Sequence, residues 1–362
     1  MSERKLNVAV IGATGIAGQQ FLACLAGHPW FKVTALAGSQ RSAGKPYAEG
    51  IKSPNGATGW WAEGSVPEEF KGMVIHDSDR FDPASVDLIF TAVESDVAEV
   101  LEPRYAAVTP VVSAASTFRM EADSPLLIPG VNSDHAPLVK QMAKKRGWKG
   151  FVTAIPNCTA TGLAIALAPL YKAFGLKTVF MTSMASVSGA GRSGGVLMLD
   201  AMDNIVPYIV GEEEKVQRET AKIFGAFTGS GVTPAAVAVS CTCTRAGVLE
   251  GHTEAVFADL GMPASVEEVT AAMRAFAPRE LVGLPTAPEA ARLIYVHDDP
   301  FRPQPRLDRD RGEGMVTTVG RVRKDPVLPN GVKFMLVSHN TKMGAAKGAV
   351  LVAELLKSQG LI

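Results

Sequence analysis

A cysteine at the predicted start of a helix is the most reactive arrangement in this chain. Cys158 stands in Ile155-Pro156-Asn157-Cys158-Thr159-Ala160-Thr161-Gly162, directly before the apolar run Leu163–Phe174. That run predicts a helix, with Asn157 and Cys158 at its first turn. Unpaired N–H groups and the helix dipole there favour thiolate over thiol. The chemistry such a sulfur offers is attack on a carbonyl carbon. Cys24, inside Phe21-Leu22-Ala23-Cys24-Leu25, reads instead as core filler. A nucleophile of this kind works with a base. His252, in Gly251-His252-Thr253-Glu254, follows a glycine and opens a strand, and His339, in Ser338-His339-Asn340-Thr341, lies at a strand end. The sequence leaves those two open. His28, His76, His135 and His297 lie at element ends or in acidic loops and read as surface.

The second chemical feature is Gly12-Ala13-Thr14-Gly15-Ile16-Ala17-Gly18, between a strand and a helix. Its glycines permit a tight turn and close approach to a pyrophosphate, whose charge then rests on the helix N-terminus. Gly12, Thr14, Gly15 and Ile16 are the expected contacts. The next strand ends in Ala37-Gly38-Ser39-Gln40-Arg41-Ser42, without the acid that reads the ribose of NAD. Ser39, Arg41 and Ser42 offer a guanidinium and two hydroxyls, which suit a 2′-phosphate, so NADP is expected over NAD. Reductases that rely on a Tyr four residues before a Lys are excluded. The five tyrosines are followed at that offset by Ile51, Thr109, Gly175, Glu212 and Asp299.

These groups need a scaffold, and the pattern supplies an α/β one. Strands at Val8–Ile11, Val33–Ala37, Val74–His76, Leu88–Ala92 and Val108–Ser113 alternate with helical stretches at Gln19–Ala26 and Val97–Tyr105. That alternation predicts a Rossmann-type parallel sheet covered on both faces. Beyond Gly150 come longer strands, Thr178–Met184, Val237–Ala246, Gly251–Phe257, Met315–Val322 and Val332–His339, which suggest a mixed sheet in a second α+β domain. The apolar helix Gly344–Leu356 is expected to return to the first domain. The domains are thus 1–152 with 340–362, and 153–339. Asp298–Gly314, with three prolines and many charges, predicts an ordered arm.

At 362 residues the chain exceeds what one core holds, and its 36 basic and 36 acidic residues cancel. No basic excess exists to drive binding to nucleic acid. No apolar run approaches the ~20 residues of a membrane span, and no signal-peptide core precedes the first strand, so a cytoplasmic location is expected. Four cysteines, Cys24, Cys158, Cys241 and Cys243, make neither a disulfide framework nor a metal knuckle.

Taken together the motifs resemble aspartate-semialdehyde dehydrogenases of the archaeal and fungal type. The resemblance rests on the glycine turn, Ser39–Ser42, Pro156-Asn157-Cys158-Thr159-Ala160, Ser188-Gly189-Ala190-Gly191, Asp203-Asn204-Ile205-Val206-Pro207-Tyr208 and Gly211-Glu212-Glu213-Glu214-Lys215. Gly251-His252-Thr253-Glu254, Arg302-Pro303-Gln304-Pro305-Arg306-Leu307-Asp308 and Ser338-His339-Asn340-Thr341 extend it along the whole chain. It implies that Cys158 attacks an acyl phosphate with His252 as general acid/base, and that NADPH reduces the resulting thioester to an aldehyde. It further implies that Arg245 pairs the substrate carboxylate, Glu212 the amine, and Arg119 and Lys215 the phosphate, with Asn157 also on the substrate. Ser188, Gly189 and Asn340 fall on the cofactor side. Taken alone, Glu212 and Lys215 would be an ordinary surface helix pair. Arg245 and His252 are an odd distance apart, so a bend at Gly247 or Gly251 must bring them to one side. A homodimer or homotetramer built through the second domain is also implied.

The chain departs from the family near the thiol. Ala185 replaces a glutamine, Arg192 begins a changed segment, Ala114 replaces an asparagine and Gly130 a glutamate. These changes raise the alternative of the same chemistry on another acyl donor, such as a modified succinyl phosphate or malonyl-CoA. A non-catalytic NADP-binding regulator is the reading from another class.

Overall fold

A computed structural model describes residues 4–191 and 198–362. Arg192, singled out above, lies outside the described residues. Six strands form the first sheet: β1 Leu6–Ile11, β2 Phe31–Gly38, β3 Ile75–Asp77, β4 Leu88–Thr91, β5 Val111–Ser113 and β6 Val152–Ala154. All pair in parallel, in the order β3-β2-β1-β4-β5-β6. Val8 to Ile11 and Leu88 to Phe90 are fully buried, as strands covered on both faces must be. The order reverses between β1 and β4, which opens a crevice at their carboxyl ends where ligands of such sheets bind.

The remaining strands are β7 Leu176–Ala185, β8 Ile205–Val206, β9 Ala226–Phe227, β10 Val232–Thr233, β11 Ala238–Ala246, β12 His252–Leu260, β13 Ile294–Val296, β14 Thr317–Lys324 and β15 Gly331–Ser338. β9 and β10 make a small ribbon, and the other seven form a mixed sheet ordered β13-β14-β15-β12-β7-β11-β8. β7 alternates strictly: Val179, Met181, Ser183 and Ala185 are buried while Phe180 and Thr182 are exposed. One face therefore packs inward and the other faces out.

The helix Cys158–Phe174 lies on the inner face, against β7, β12, β14 and β15. It is rich in alanine and leucine and buried from Thr159 to Leu170, the pattern of a central helix. The last helix, Ala346–Ser358, packs against the helix Ile16–Leu25 and β5, so the chain's end returns to the first sheet.

Two histidines read as surface are not. His28 is buried, with Nε2 2.8 Å from Glu354 Oε1 and Nδ1 accepting from the Trp30 and Phe31 N–H groups. His135 is buried between the Asn132 amide and the Gly225 carbonyl. His297 is mostly covered and sits 2.9 Å from Asp308. Glu354, Gly225 and Asp308 lie 11 to 326 residues from the histidines they hold, which a local reading cannot see. His76 alone of the four is exposed.

Candidate active site

The strand β6 ends at Ala154, and the segment Ile155-Pro156-Asn157 carries the chain into the helix that begins at Cys158. Asn157 caps this helix: its Oδ1 accepts from the N–H groups of Thr159 at 2.9 Å and Ala160 at 3.1 Å. Two carboxylates of the helix Glu212–Ile223 hold the cap. Glu212 accepts from Asn157 Nδ2 at 3.0 Å and Thr159 Oγ1 at 2.8 Å, and Glu219 accepts from the Asn157 N–H at 2.6 Å. The nucleophile's position is thus fixed by a hydrogen-bonded frame.

Across from it, Cys158 Sγ lies 3.0 Å from His252 Nε2. This decides between the two histidine candidates. His339 sits elsewhere, its Nε2 3.6 Å from Glu250 and 3.5 Å from Asp310. His252 Nδ1 meets the Ser186 main-chain N–H at 3.0 Å and the Ser186 hydroxyl at 3.1 Å.

Arg245 and His252 do reach one side, though not along one bent strand. They stand on β11 and β12, which flank β7. Arg245 faces Ala185, and Thr253 faces Met184, so His252 also falls opposite Ala185. Ala185 is the small residue in the middle of the row. Gly251 makes the reversal with a φ of +92°. Arg245 donates from Nη1 to the Ser186 carbonyl at 2.7 Å, while its buried Nε has no partner among the described residues. Gly189 closes the far wall, where a Cβ would come within 3.2 Å of both the His252 ring and Arg245.

The helix start does not leave a resting thiolate. The protein packed round Cys158 pushes its thiol up to about 12, Glu212 adding to the effect, while Arg119, the Thr159 N–H and Arg245 oppose it. Burial, then the charge of Arg245, pushes His252 down to about 3. Before substrate arrives the pair is therefore neutral, because desolvation outweighs the helix dipole.

The glycine turn lies at the crevice between β1 and β4. Gly12 has a φ of +79°, and a Cβ there would sit 2.3 Å from the Ala92 carbonyl oxygen. The helix Ile16–Leu25 starts without a side-chain cap, so its first N–H groups remain for an anion. A cleft of about 1090 Å³ opens there, lined by Thr14, Gly15, Ile16, Arg41 and Lys45 among others. These residues fit a dinucleotide with a 2′-phosphate. Ser42 differs from expectation: it is buried and its hydroxyl donates to the Ser39 carbonyl, because the turn folds it under Gly38. Ser39 stays exposed.

Models of two domains match: "Semialdehyde dehydrogenase, NAD binding domain" over residues 7–138 and "Semialdehyde dehydrogenase, dimerisation domain" over 167–343. The aspartate-semialdehyde dehydrogenase of Archaeoglobus fulgidus is 44% identical, covering 99% of this chain and 100% of that protein. The chain belongs to the aspartate-semialdehyde dehydrogenase family. A crystal structure of the Candida albicans aspartate-semialdehyde dehydrogenase with NADP superposes with a TM-score of 0.87 at 37% identity, covering 99% of this chain and 100% of that one. The NADP-dependent malonyl-CoA reductase of Metallosphaera sedula is 35% identical over 99% of both chains.

Against this family background, Cys158 has His252 at 3.0 Å and Asn157 capping its helix, and the charges of Glu212, Arg119 and Arg245 all act on its thiol. Lys215 is exposed on the same helix as Glu212. Asn340 is buried against Ser186, the residue that meets His252 Nδ1, with Oδ1 accepting from Ser186 Oγ and the Gly251 N–H and Nδ2 donating to Ser188 Oγ. Sequence reasoning missed Glu219 and Lys222. Arg119 donates to Glu219 at 3.1 Å, and Lys222 Nζ holds the carbonyls of Arg119, Glu121 and Ser124 at 2.8 Å each. The signal was present: Glu212, Glu219 and Lys222 recur at helical spacing, and Glu219 and Lys222 carry charge inward from an acidic helix.

Proposed function

We infer that this chain reduces L-aspartyl 4-phosphate to L-aspartate 4-semialdehyde with NADPH, releasing phosphate. The observation that carries the reading is the 3.0 Å contact between Cys158 Sγ and His252 Nε2 at a framed helix start. His252 takes the thiol proton as Sγ adds to the acyl carbon. The carbon–oxygen bond to phosphate then breaks, phosphate leaves with the bonding pair, and a thioester remains on Cys158. Arg119, with its Nε free of protein partners among the described residues, meets the phosphate, and Lys215 adds a second cation from the rim. Arg245 pairs the substrate carboxylate, and Glu212 faces the ammonium. Asn157 occupies the Thr159 and Ala160 amides, which leaves the N–H of Cys158 for the oxyanion. Bound NADPH supplies the hydride that makes the aldehyde carbon. His252 returns its proton to sulfur when the carbon–sulfur bond breaks.

Thr14, Gly15, Ile16, Ser39 and Arg41 would hold the cofactor in the crevice, and Ser188, Gly189 and Asn340 would serve its nicotinamide end. The exposed face of the mixed sheet, including Phe180 and Thr182, is the surface for a second copy of the chain. None of the helices among the described residues is long and apolar enough to cross a membrane.

Ala185 and the malonyl-CoA reductase relative favour a second reading, the same thiol chemistry on another acyl donor. The test is NADP reduction with phosphate and a panel of semialdehydes. Activity with L-aspartate semialdehyde supports the first reading. Activity only with aldehydes lacking the amine supports the second.

A further inference from the structure

For His252 to move a proton through Nε2, Nδ1 must keep its own proton in both the neutral and the charged ring. Something must accept that Nδ1–H. Ser186 presents two opposite groups to Nδ1. Its main-chain N–H, at 3.0 Å, can only donate, and so favours the tautomer with the proton on Nε2. In that tautomer Nε2–H faces Sγ and cannot take the thiol proton. The Ser186 hydroxyl, at 3.1 Å, can accept instead.

Asn340 decides which way that hydroxyl points. The Gly251 N–H can only donate, and it meets Asn340 Oδ1 at 2.9 Å, which identifies the oxygen end of the amide. Ser186 Oγ lies 3.0 Å from the same oxygen and therefore gives its own proton to it. With its one proton given away, Oγ can meet Nδ1 only as an acceptor. Asn340 is fixed in turn by donating to Ser188 Oγ at 2.8 Å. Ser186 is fully buried and Asn340 nearly so, so no bulk water competes for these bonds.

We propose that Ser186, aimed by Asn340, is the positioning residue that keeps the proton on His252 Nδ1 and so makes Nε2 able to accept the Cys158 proton. The arrangement has the logic of a nucleophile, a base and an orienting third group, with a neutral hydroxyl as the third. It stands beside Ala185, where the family carries a glutamine. The proposal rests on the acid/base role given to His252 above, and not on the identity of the acyl donor.

The experiment is iodoacetamide alkylation of Cys158 as a function of pH in the wild type, Ser186→Ala and Ser186→Thr, beside kcat and KM. Alkylation needs no substrate, so its result stands apart from the assignment of aspartyl phosphate. Removing the hydroxyl leaves only the N–H at Nδ1. Ser186→Ala should therefore slow alkylation near pH 7 by about 100-fold or more, the scale of a lost base. The difference should shrink as hydroxide takes over above pH 9. kcat should fall in parallel with KM for NADPH unchanged, and Ser186→Thr should recover most of the rate. Wild-type rates in Ser186→Ala would overturn the proposal. So would an equal loss in Ser186→Thr with NADP binding intact. Nitrogen-15 spectra of the wild-type histidines give a second measure that needs no variant. On adding NADP and phosphate, the Nδ1 signal of His252 should be the protonated one, and a proton held on Nε2 throughout would overturn the proposal equally.

Discussion

Replacing Glu219 by Gln probes the carboxylate that ties Arg119 to the cap of the Cys158 helix. One carboxylate oxygen accepts from Arg119 at 3.1 Å and the other from the Asn157 N–H at 2.6 Å. Both side chains of the ion pair are at most 10% exposed. Glutamine has the shape but only one acceptor end, so its NH₂ must face either the guanidinium or the amide of Asn157. A buried donor left facing a donor costs about 1–3 kcal/mol. Removing the charge opposite a buried Arg takes the loss toward about 3–5 kcal/mol. Burial raises Glu219 and Arg119 opposes that rise, so the charged form depends on this pair. The functional consequence follows from geometry. Arg119 loses the bond that aims it, and the cap that places Cys158 loosens. We expect KM for phosphate in the reverse reaction to rise at least about tenfold, equivalent to about 1.4 kcal/mol. kcat should fall as well, because small misplacements near the reacting atoms are costly. Thermal unfolding should report the stability loss. A Glu219→Gln variant with wild-type melting temperature and wild-type KM for phosphate would refute the reasoning.

Two further outcomes follow from other parts of the site. Arg41→Ala should raise KM for NADP by about ten- to a hundredfold and leave KM for NAD nearly unchanged, since only the former carries the 2′-phosphate. Steady-state kinetics with both cofactors checks it. Glu254 is fully buried, neither of its carboxyl oxygens has a partner among the described residues, and burial raises its pKa well above the ordinary value. A raised folded-state pKa gives stability that is present below about pH 4.5 and lost as pH climbs toward the folded value. Glu254→Gln should thus melt like the wild type near pH 4 and higher than it at pH 8. A variant less stable at pH 8 would contradict the stated cause.

The fold was largely legible because its signals are local. Buried runs such as Val8–Ile11, the glycine turn and the apolar helix after Cys158 each declare themselves within a dozen residues. The position of Cys158 at the start of a helix was legible for the same reason. What sequence left open depends on distant pairing. His28 and Glu354 are 326 positions apart, and Glu219 meets Asn157 across 62. The resting thiolate was expected from the helix start alone, and was overturned by desolvation that only packing reveals. The approach of Arg245 to His252 likewise required knowing that β7 runs between their strands.

The central claim is that Cys158 carries the substrate's acyl group as a thioester. The most direct measurement mixes the enzyme with NADP and L-aspartate semialdehyde without phosphate, follows NADPH formation and determines the mass of the peptide holding Cys158. The account predicts a burst of NADPH stoichiometric with active sites and an aspartyl adduct on that peptide, released when phosphate is added. Turnover by a Cys158→Ser variant, or a burst with no adduct on Cys158, would contradict it.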